Sequence, residues 1–140
     1  MSHDLSLTKN LETYDGLWSN SDRHGRGVFY YSNGDKFTGQ WDSGKKHGKG
    51  SIYFNTGVKF EGHWANDTPA GIGRMSYANG DVYEGEWSDG KKSGLGLYVY
   101  ADCSQYNGEW SNDKRQGKGE FYCGTGESYK GDWKEDKKSG

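Results

Sequence analysis

Six times the chain spells an aromatic-x-Gly-x-Trp motif, and each copy begins 23 residues after the last. The copies start at Tyr14, Phe37, Phe60, Tyr83, Tyr106 and Tyr129 and end at Trp18, Trp41, Trp64, Trp87, Trp110 and Trp133, so all six tryptophans share one register. A constant period without insertions restricts a chain to a repeat array, in which each unit buries its apolar side only against its neighbours.

Between the motifs lies a second recurring stretch opened by Gly-x-Gly: Gly25/Gly27, Gly48/Gly50, Gly71/Gly73, Gly94/Gly96 and Gly117/Gly119. Tight-turn signals follow at Asn33-Gly34, Thr56-Gly57, Asn79-Gly80, Asp102-Cys103 and Thr125-Gly126. Alternating apolar stretches with a turn signal every ten or so residues predict all-β hairpins, and no helical period is present. Only 30% of residues are hydrophobic and mean hydropathy is -1.15, a composition that by itself leans towards disorder. A net charge of only -2 and a strictly periodic 16% of aromatics oppose that reading. The core must therefore be built from Trp, Tyr and Phe. The expected architecture is a single elongated, twisted and curled antiparallel sheet of eleven or twelve strands, roughly 50 Å long at ~4.8 Å per strand.

Side-chain parity sets an expected register. If Tyr31 faces Phe37, then Gly27 faces Trp41, and across the polar loop Asp42–His47 Trp41 faces Gly50. Each Trp then lies between two glycines, and Gly85 lies between Met75 and Tyr98. A two-residue Asn-Gly turn would break that match, so the turn should have odd length with its glycine in the left-handed region.

The pattern Tyr-x-Gly-x-Trp followed by Gly-x-Gly and a glycine turn resembles the MORN (membrane occupation and recognition nexus) repeat. The resemblance covers residues 14–140, with residues 1–13 left as an N-terminal capping segment in which Leu5, Leu7 and Leu11 suggest a degenerate strand. Departures are local: Cys103 stands at a turn glycine, Cys123 at a strand aromatic, and Asn66-Asp67-Thr68-Pro69 where other repeats carry Gly-Lys. Gly140 falls where a further Gly-x-Gly strand would begin, so the chain reads as the N-terminal piece of a longer array, with about six repeats here. The strand Tyr129–Trp133 should then be an open edge prone to self-association.

No catalytic constellation emerges, so no enzyme activity and no cofactor is expected. The Gly-x-Gly pairs are not phosphate loops, because no strand-to-helix step follows them. His24 and His47 sit two strand spacings apart, about 10 Å, too far to share one metal ion within a chain, so no metal site is assigned and a zinc shared between molecules is left open. A pI near 6.1 argues against nucleic acid as a partner. Cys103 and Cys123 differ in register, which fits a reducing, cytoplasmic setting better than a disulfide framework.

Three surfaces are candidate sites. The first is an aromatic groove formed by Tyr31, Phe37, Trp41, Phe54, Phe60, Trp64, Tyr77, Tyr83, Trp87, Tyr100, Tyr106 and Trp110. Rigid rings suit it to an extended or helical peptide, although the same rings must also serve as core. The second is a basic edge of paired cations, Lys45, Lys46, Lys91, Lys92, Lys114, Arg115, Lys137 and Lys138, suited to anionic phospholipid or an acidic partner. The third is an outward apolar patch, Leu95, Leu97 and Val99, rimmed by Glu84, Glu86, Ser88, Asn107 and Glu109. A smaller patch joins Leu17 to Val28, with Leu5 beside them. Contiguous exposed aliphatics mark a contact surface, for a protein partner or for a second copy of the chain as a homodimer.

The family resemblance implies a non-catalytic scaffold that mediates protein–protein interaction in a cytoskeletal or membrane-associated assembly. It also implies two alternatives: a phosphoinositide-binding module apposed to a membrane, and the regulatory N-terminal module of a larger enzyme.

Overall fold

A computed structural model describes residues 12–139. The leucines of the capping segment lie outside that range. Twelve strands run in chain order: β1 (Thr13–Ser19), β2 (Asp22–Tyr30), β3 (Lys36–Asp42), β4 (Lys45–Tyr53), β5 (Lys59–Ala65), β6 (Thr68–Ser76), β7 (Val82–Ser88), β8 (Lys91–Val99), β9 (Gln105–Ser111), β10 (Lys114–Tyr122), β11 (Ser128–Lys134) and β12 (Lys137–Ser139). They form one antiparallel sheet in which every strand pairs with its sequence neighbours. Among the described residues the sheet has no second layer, and its aromatic face has to cover itself.

Two turn types alternate. At one edge, a five-residue connection such as Tyr31–Asp35 closes through Gly34 N–H donating to Tyr31 O and Tyr31 N–H donating to Asp35 O. Gly34 has φ of 99°, as expected of a glycine in an odd-length turn. At the other edge the expected polar loop is instead a two-residue turn, Asp42 pairing directly with Lys45. Ser43 and Gly44 have φ of 51° and 82°, and Asn112 and Asp113 have φ of 50° and 69°. Two successive left-handed residues make a type I′ turn, whose twist matches that of the strands. Lys45 and Lys46 therefore belong to a strand, and opposite faces of the sheet receive them.

The expected register is displaced by two residues. Phe29, not Tyr31, pairs with Phe37, Gly27 pairs with Gly39, and Gly39 pairs with Gly50. The cause is local: closing the turn at Tyr31 and Asp35 places Tyr31 inside the connection. Glycine rows therefore run glycine to glycine across the sheet. A Cβ placed on Gly85 would stand 2.4 Å from the Gly96 Cα and 2.6 Å from the Leu95 carbonyl oxygen. The ring over this glycine pair is Tyr83, from the same strand, rather than a Trp. A Cβ on Gly96 would lie 2.4 Å from the Tyr83 ring carbons.

Every Trp after Trp18, which is 60% exposed, is held by the preceding repeat. The indole N–H of Trp41 donates to Gly27 O, Trp64 to Gly50 O, Trp87 to Gly73 O, Trp110 to Gly96 O and Trp133 to Gly119 O, at 2.9–3.2 Å. The Phe or Tyr of the motif meets its own Trp and the next one edge-on, as Phe37 does with Trp41 (5.2 Å) and Trp64 (5.1 Å). Chains of T-shaped contacts add about 0.5–1.5 kcal/mol each to the burial itself. Between each strand-centre glycine and the Trp, the partner strand carries extra residues: the register slips between Gly39 and Trp41 on β3, opposite Gly50 and Lys46 on β4. Gly48, at φ of 95°, permits this bulge, and Gln40 Oε1 accepts the Lys49 N–H.

The C-terminal edge is narrower than expected. β12 pairs with β11 from Asp132↔Ser139 to Lys134↔Lys137, so the following strand has begun. Among the described residues, only the Ser128–Gly131 part of β11 lacks a partner on its outer side.

Candidate functional site

The aromatic face is filled. Phe37, Phe60, Tyr83 and Tyr106 are fully buried, and Trp41, Trp64, Trp87 and Trp110 keep only 4–6% exposure. These eight candidate groove residues are core, because each ring lies on a glycine pair or against the neighbouring repeat's ring. Tyr31, Phe54, Tyr77 and Tyr100 form its half-buried rim beside the five-residue turns. Burial raises the pKa of Tyr83 and Tyr98, and that of Tyr106 to about 12. The Tyr83 and Tyr106 hydroxyls donate to the carbonyls of Glu86 and Glu109, and the Tyr98 hydroxyl donates to Asp81 Oδ2 at 2.7 Å.

The basic pairs divide between the two faces. Lys45, Lys91, Lys114 and Lys137 are exposed, with Lys114 at 3.0 Å from Glu135. Lys46, Lys92 and Arg115 turn inward and lie over the rings. Lys46 Nζ stands 5.4 Å from Tyr31, 5.5 Å from Phe37, 5.6 Å from Trp41 and 5.8 Å from Trp64. Lys92 Nζ is 5.4 Å from Trp110, and the Arg115 guanidinium is 4.5 Å from Trp133. Arg23 does the same 4.7 Å from Trp41, and Lys138 lies 5.1 Å from Tyr129. Only 13% and 12% of the Lys46 and Lys92 side chains remain exposed. Lys46, Lys92 and Arg115 close the top of the core, so three of the eight predicted basic-edge residues are not free anion sites. The inward cation was legible in principle: Lys46, Gly48 and Gly50 share one parity.

Each inward cation is also stitched to the next repeat. Asp67 Oδ1 accepts the Lys46 N–H at 2.8 Å, Asp113 accepts the Lys92 N–H at 2.8 Å and Asp136 accepts the Arg115 N–H at 2.7 Å. The third repeat departs in a compensated way. Pro69 stands where the cation would be and has no N–H to donate, and the partner position carries Gly90, with no carboxylate to accept.

The outward face is different. Leu95 is 63% exposed and Ile72 55%, while Leu97, Val99 and Val82 are half-buried. Pairing places Leu97 between Glu84 and Asn107, Leu95 opposite Glu109, Ile72 opposite Glu86, and Val99 between Val82 and Gln105. The expected patch therefore lies on the outward face and extends to β6. The smaller patch is looser: Leu17 is 63% exposed, but Asp15, not Leu17, pairs with Val28. Two shallow depressions of about 400 and 470 Å³ open over the glycine rows of this face. Arg26, Lys49 and His63 are among the residues lining the first, and Leu95, Lys118 and Lys130 among those lining the second.

Charge is unevenly distributed along the ladder beside the bulges. Arg26 pairs with Gln40 and Lys49 with His63, so two cations face no carboxylate. Ile72 then faces Glu86 and Leu95 faces Glu109, so two carboxylates face no cation. Only the last rung matches, Lys118 with Asp132 at 2.5 Å, beside a second ion pair between Lys130 and Glu120 at 3.3 Å. Glu86 and Glu109 accept the N–H groups of Leu95 and Lys118, at 2.6 Å in each case.

Chemistry is sparse. Among the described residues, no three His, Cys, Asp or Glu side chains gather as metal ligands. Both cysteines are free thiols. Cys123 interrupts the aromatic rim and lines a cleft of about 130 Å³ with Phe121, Tyr129 and Lys138; a hydrogen bond from the Thr125 hydroxyl lowers its pKa.

A search of curated proteins finds no match. Among solved structures, the SAS-4 (dCPAP) TCP domain in complex with a proline rich motif of Ana2 (dSTIL) of Drosophila melanogaster aligns at 12% identity with a TM-score of 0.31, covering 76% of this chain and 71% of that one. Nothing further rests on a likeness that slight. The MORN repeat family model matches residues 14–36, 37–59, 60–82, 83–102, 106–128 and 129–140. With six consecutive matches over that span, the chain belongs to the MORN repeat family.

Proposed function

We propose that this chain is a non-catalytic scaffold that binds a protein partner along its outward face, within a cytoplasmic assembly associated with the cytoskeleton or a membrane. The observation that carries this reading is the run of aliphatics Leu95, Leu97 and Val99 along β8, with Val82 opposite Val99 and Ile72 beyond Glu86 on β6, on a face without a second layer among the described residues. Fully covering each such side chain is worth roughly 1.5–3 kcal/mol, enough for a few of them to dominate an interface. The test compares partners captured by the wild-type chain with those captured by Leu97→Lys, after matching the two by circular dichroism and melting. Loss of a defined partner set by the folded variant supports the reading; an unchanged set overturns it.

A second reading, contact with anionic phospholipid, is favoured by the exposed lysines Lys45, Lys91 and Lys137 along the two-residue turns. Sedimentation with vesicles containing anionic lipid, at two salt concentrations, separates the readings. Binding through these lysines must weaken with salt, whereas apolar docking should not.

A further inference from the structure

We propose that the outward face recognises the charge order of its partner: an elongated segment whose acidic end lies over β2–β5 and whose apolar, basic end lies over β6–β9. The proposal rests on the protein-docking reading above and adds the chemistry and direction of the occupant.

The inner face shows how this chain treats charge when it is self-contained. There Lys46, Lys92 and Arg115 each have a carboxylate from the next repeat within 3.7 Å. On the outward ladder the same economy appears only in the last rung, Lys118 with Asp132. At the neighbouring outward positions Arg74 stands opposite Glu61 and Glu84, and Lys130 opposite Glu120, so the separation is one of net charge: cations in excess over β2–β5, carboxylates in excess over β6–β9. Among the described residues, Arg26 and Lys49 have no carboxylate within 4.0 Å, and Glu84, Glu86 and Glu109 have no cation within 4.0 Å. All five are exposed. Unmatched like charges grouped at two ends of a face gain most from a ligand that is itself polarised, since complementary potentials orient the encounter and penalise the reversed one. The exposed aliphatics lie with the acidic group, so the basic end of the ligand must also carry apolar side chains.

The first depression, over β2–β5 and lined by Arg26, Lys49, His63 and also Glu61, gives the acidic end a seat; the second lies over β8–β11, so the basic end reaches only its Leu95 side. From β2 to β9 is seven strand steps, or roughly 34 Å, about the length of a 22-residue helix. The lysines of the two-residue turns run along the sheet edge, beyond this ladder, and do not enter it.

The test uses the full chain and two synthetic helical peptides of about that length and identical composition. In one, acidic residues fill one end, while leucines and lysines fill the other; in the second, the same charges alternate. Fluorescence anisotropy at low salt should show the segregated peptide binding at least about tenfold more tightly. A photo-crosslinker on its acidic end should attach to β2–β5. Arg26→Glu/Lys49→Glu should abolish the preference, and Arg26→Gln/Lys49→Gln should reduce it if the reversal disturbs folding. Equal binding of the two peptides, binding of neither, or crosslinks from the acidic end to β7–β9 would overturn the proposal. The docking reading fails separately, through an unchanged partner set for Leu97→Lys. If the variant loses partners while the peptides do not discriminate, docking stands and charge order falls.

Discussion

The two faces of this sheet are built from the same strands and solve opposite problems. On the inner face every ring has a fixed place: glycine opposite glycine leaves a trough, a Phe or Tyr lies in it, and a Trp reaches back to the previous repeat's carbonyl. Cations then cover the rings, and carboxylates from the next repeat hold the backbone beneath those cations. Among the described residues, no buried side-chain polar atom lacks a hydrogen bond. On the outward face, Leu95 and Ile72 are left to solvent and the charges beside them are unmatched. The lesson is that a single-layer sheet can close most of one side by self-packing beyond its first repeat, which leaves aliphatics and charges of the other side open to solvent. Stability should therefore be concentrated on one face and binding on the other.

The sharpest break is Gly85→Val. Its Cβ would stand 2.4 Å from the Gly96 Cα, and backbone cannot give way as a side chain can. The β7–β8 ladder should separate, with loss of the folded state at this repeat by chemical denaturation; a near-native midpoint would refute the glycine trough. Trp87→Ala comes next. It removes the 3.0 Å bond to Gly73 O and the edge-on contacts with Phe60 and Tyr83, and should cost about 3–5 kcal/mol in urea unfolding.

Alkaline pH probes the same face. Tyr83, Tyr98 and Tyr106 have folded pKa values raised above the ordinary 10.0, so the fold favours their neutral form. Their contribution should be complete below pH 10 and be lost as pH rises through the folded values, about 12 for Tyr106. Thermal melts should fall above pH 10, and Tyr83→Phe/Tyr106→Phe should blunt the fall. Repeats two and three, with Phe37 and Phe60 at this position, show that the trough accepts a ring without a hydroxyl.

Lys92→Met should cost about 1–2 kcal/mol: the stem still covers Trp110 and Asp113 keeps the backbone N–H, while the cation–ring attraction and the ammonium's contacts with Asp113 and the Tyr77 hydroxyl are lost. A loss above about 3 kcal/mol would mean that the cation, not the stitch, holds the repeats. The smallest effect on stability belongs to Leu97→Lys, within about 0.5 kcal/mol of wild type, while association through the outward face is lost. Unfolding by this substitution would invert the division between the faces.

Some of this was legible from residues alone. The 23-residue period, the motif and its parity identify the hairpin array, the family, the aromatic core and the outward side of Leu95, Leu97 and Val99. The turns were half legible. Gly34 demanded a left-handed position, and dipeptides such as Ser43-Gly44 and Asp89-Gly90 permitted a two-residue turn, yet the stretch around them was read as a loop because it is polar. That misreading turned Lys46 and Lys92 into surface ridge.

What the sequence by itself determined is the periodicity, because a side chain's face follows from parity once a strand is granted. What only the tertiary structure decided is the register between strands and the fate of each charge. Shifting Tyr31 into the turn moved every pairing by two residues without changing any side chain's face, so hydrophobic pattern could not detect it. The carboxylates that meet Lys46, Lys92 and Arg115 come from 21 residues away, and the absence of any for Arg26 or Lys49 depends on which residue the neighbouring strand brings opposite. Ion pairing depends on distance in space, and that distance is set only when the hairpins stack.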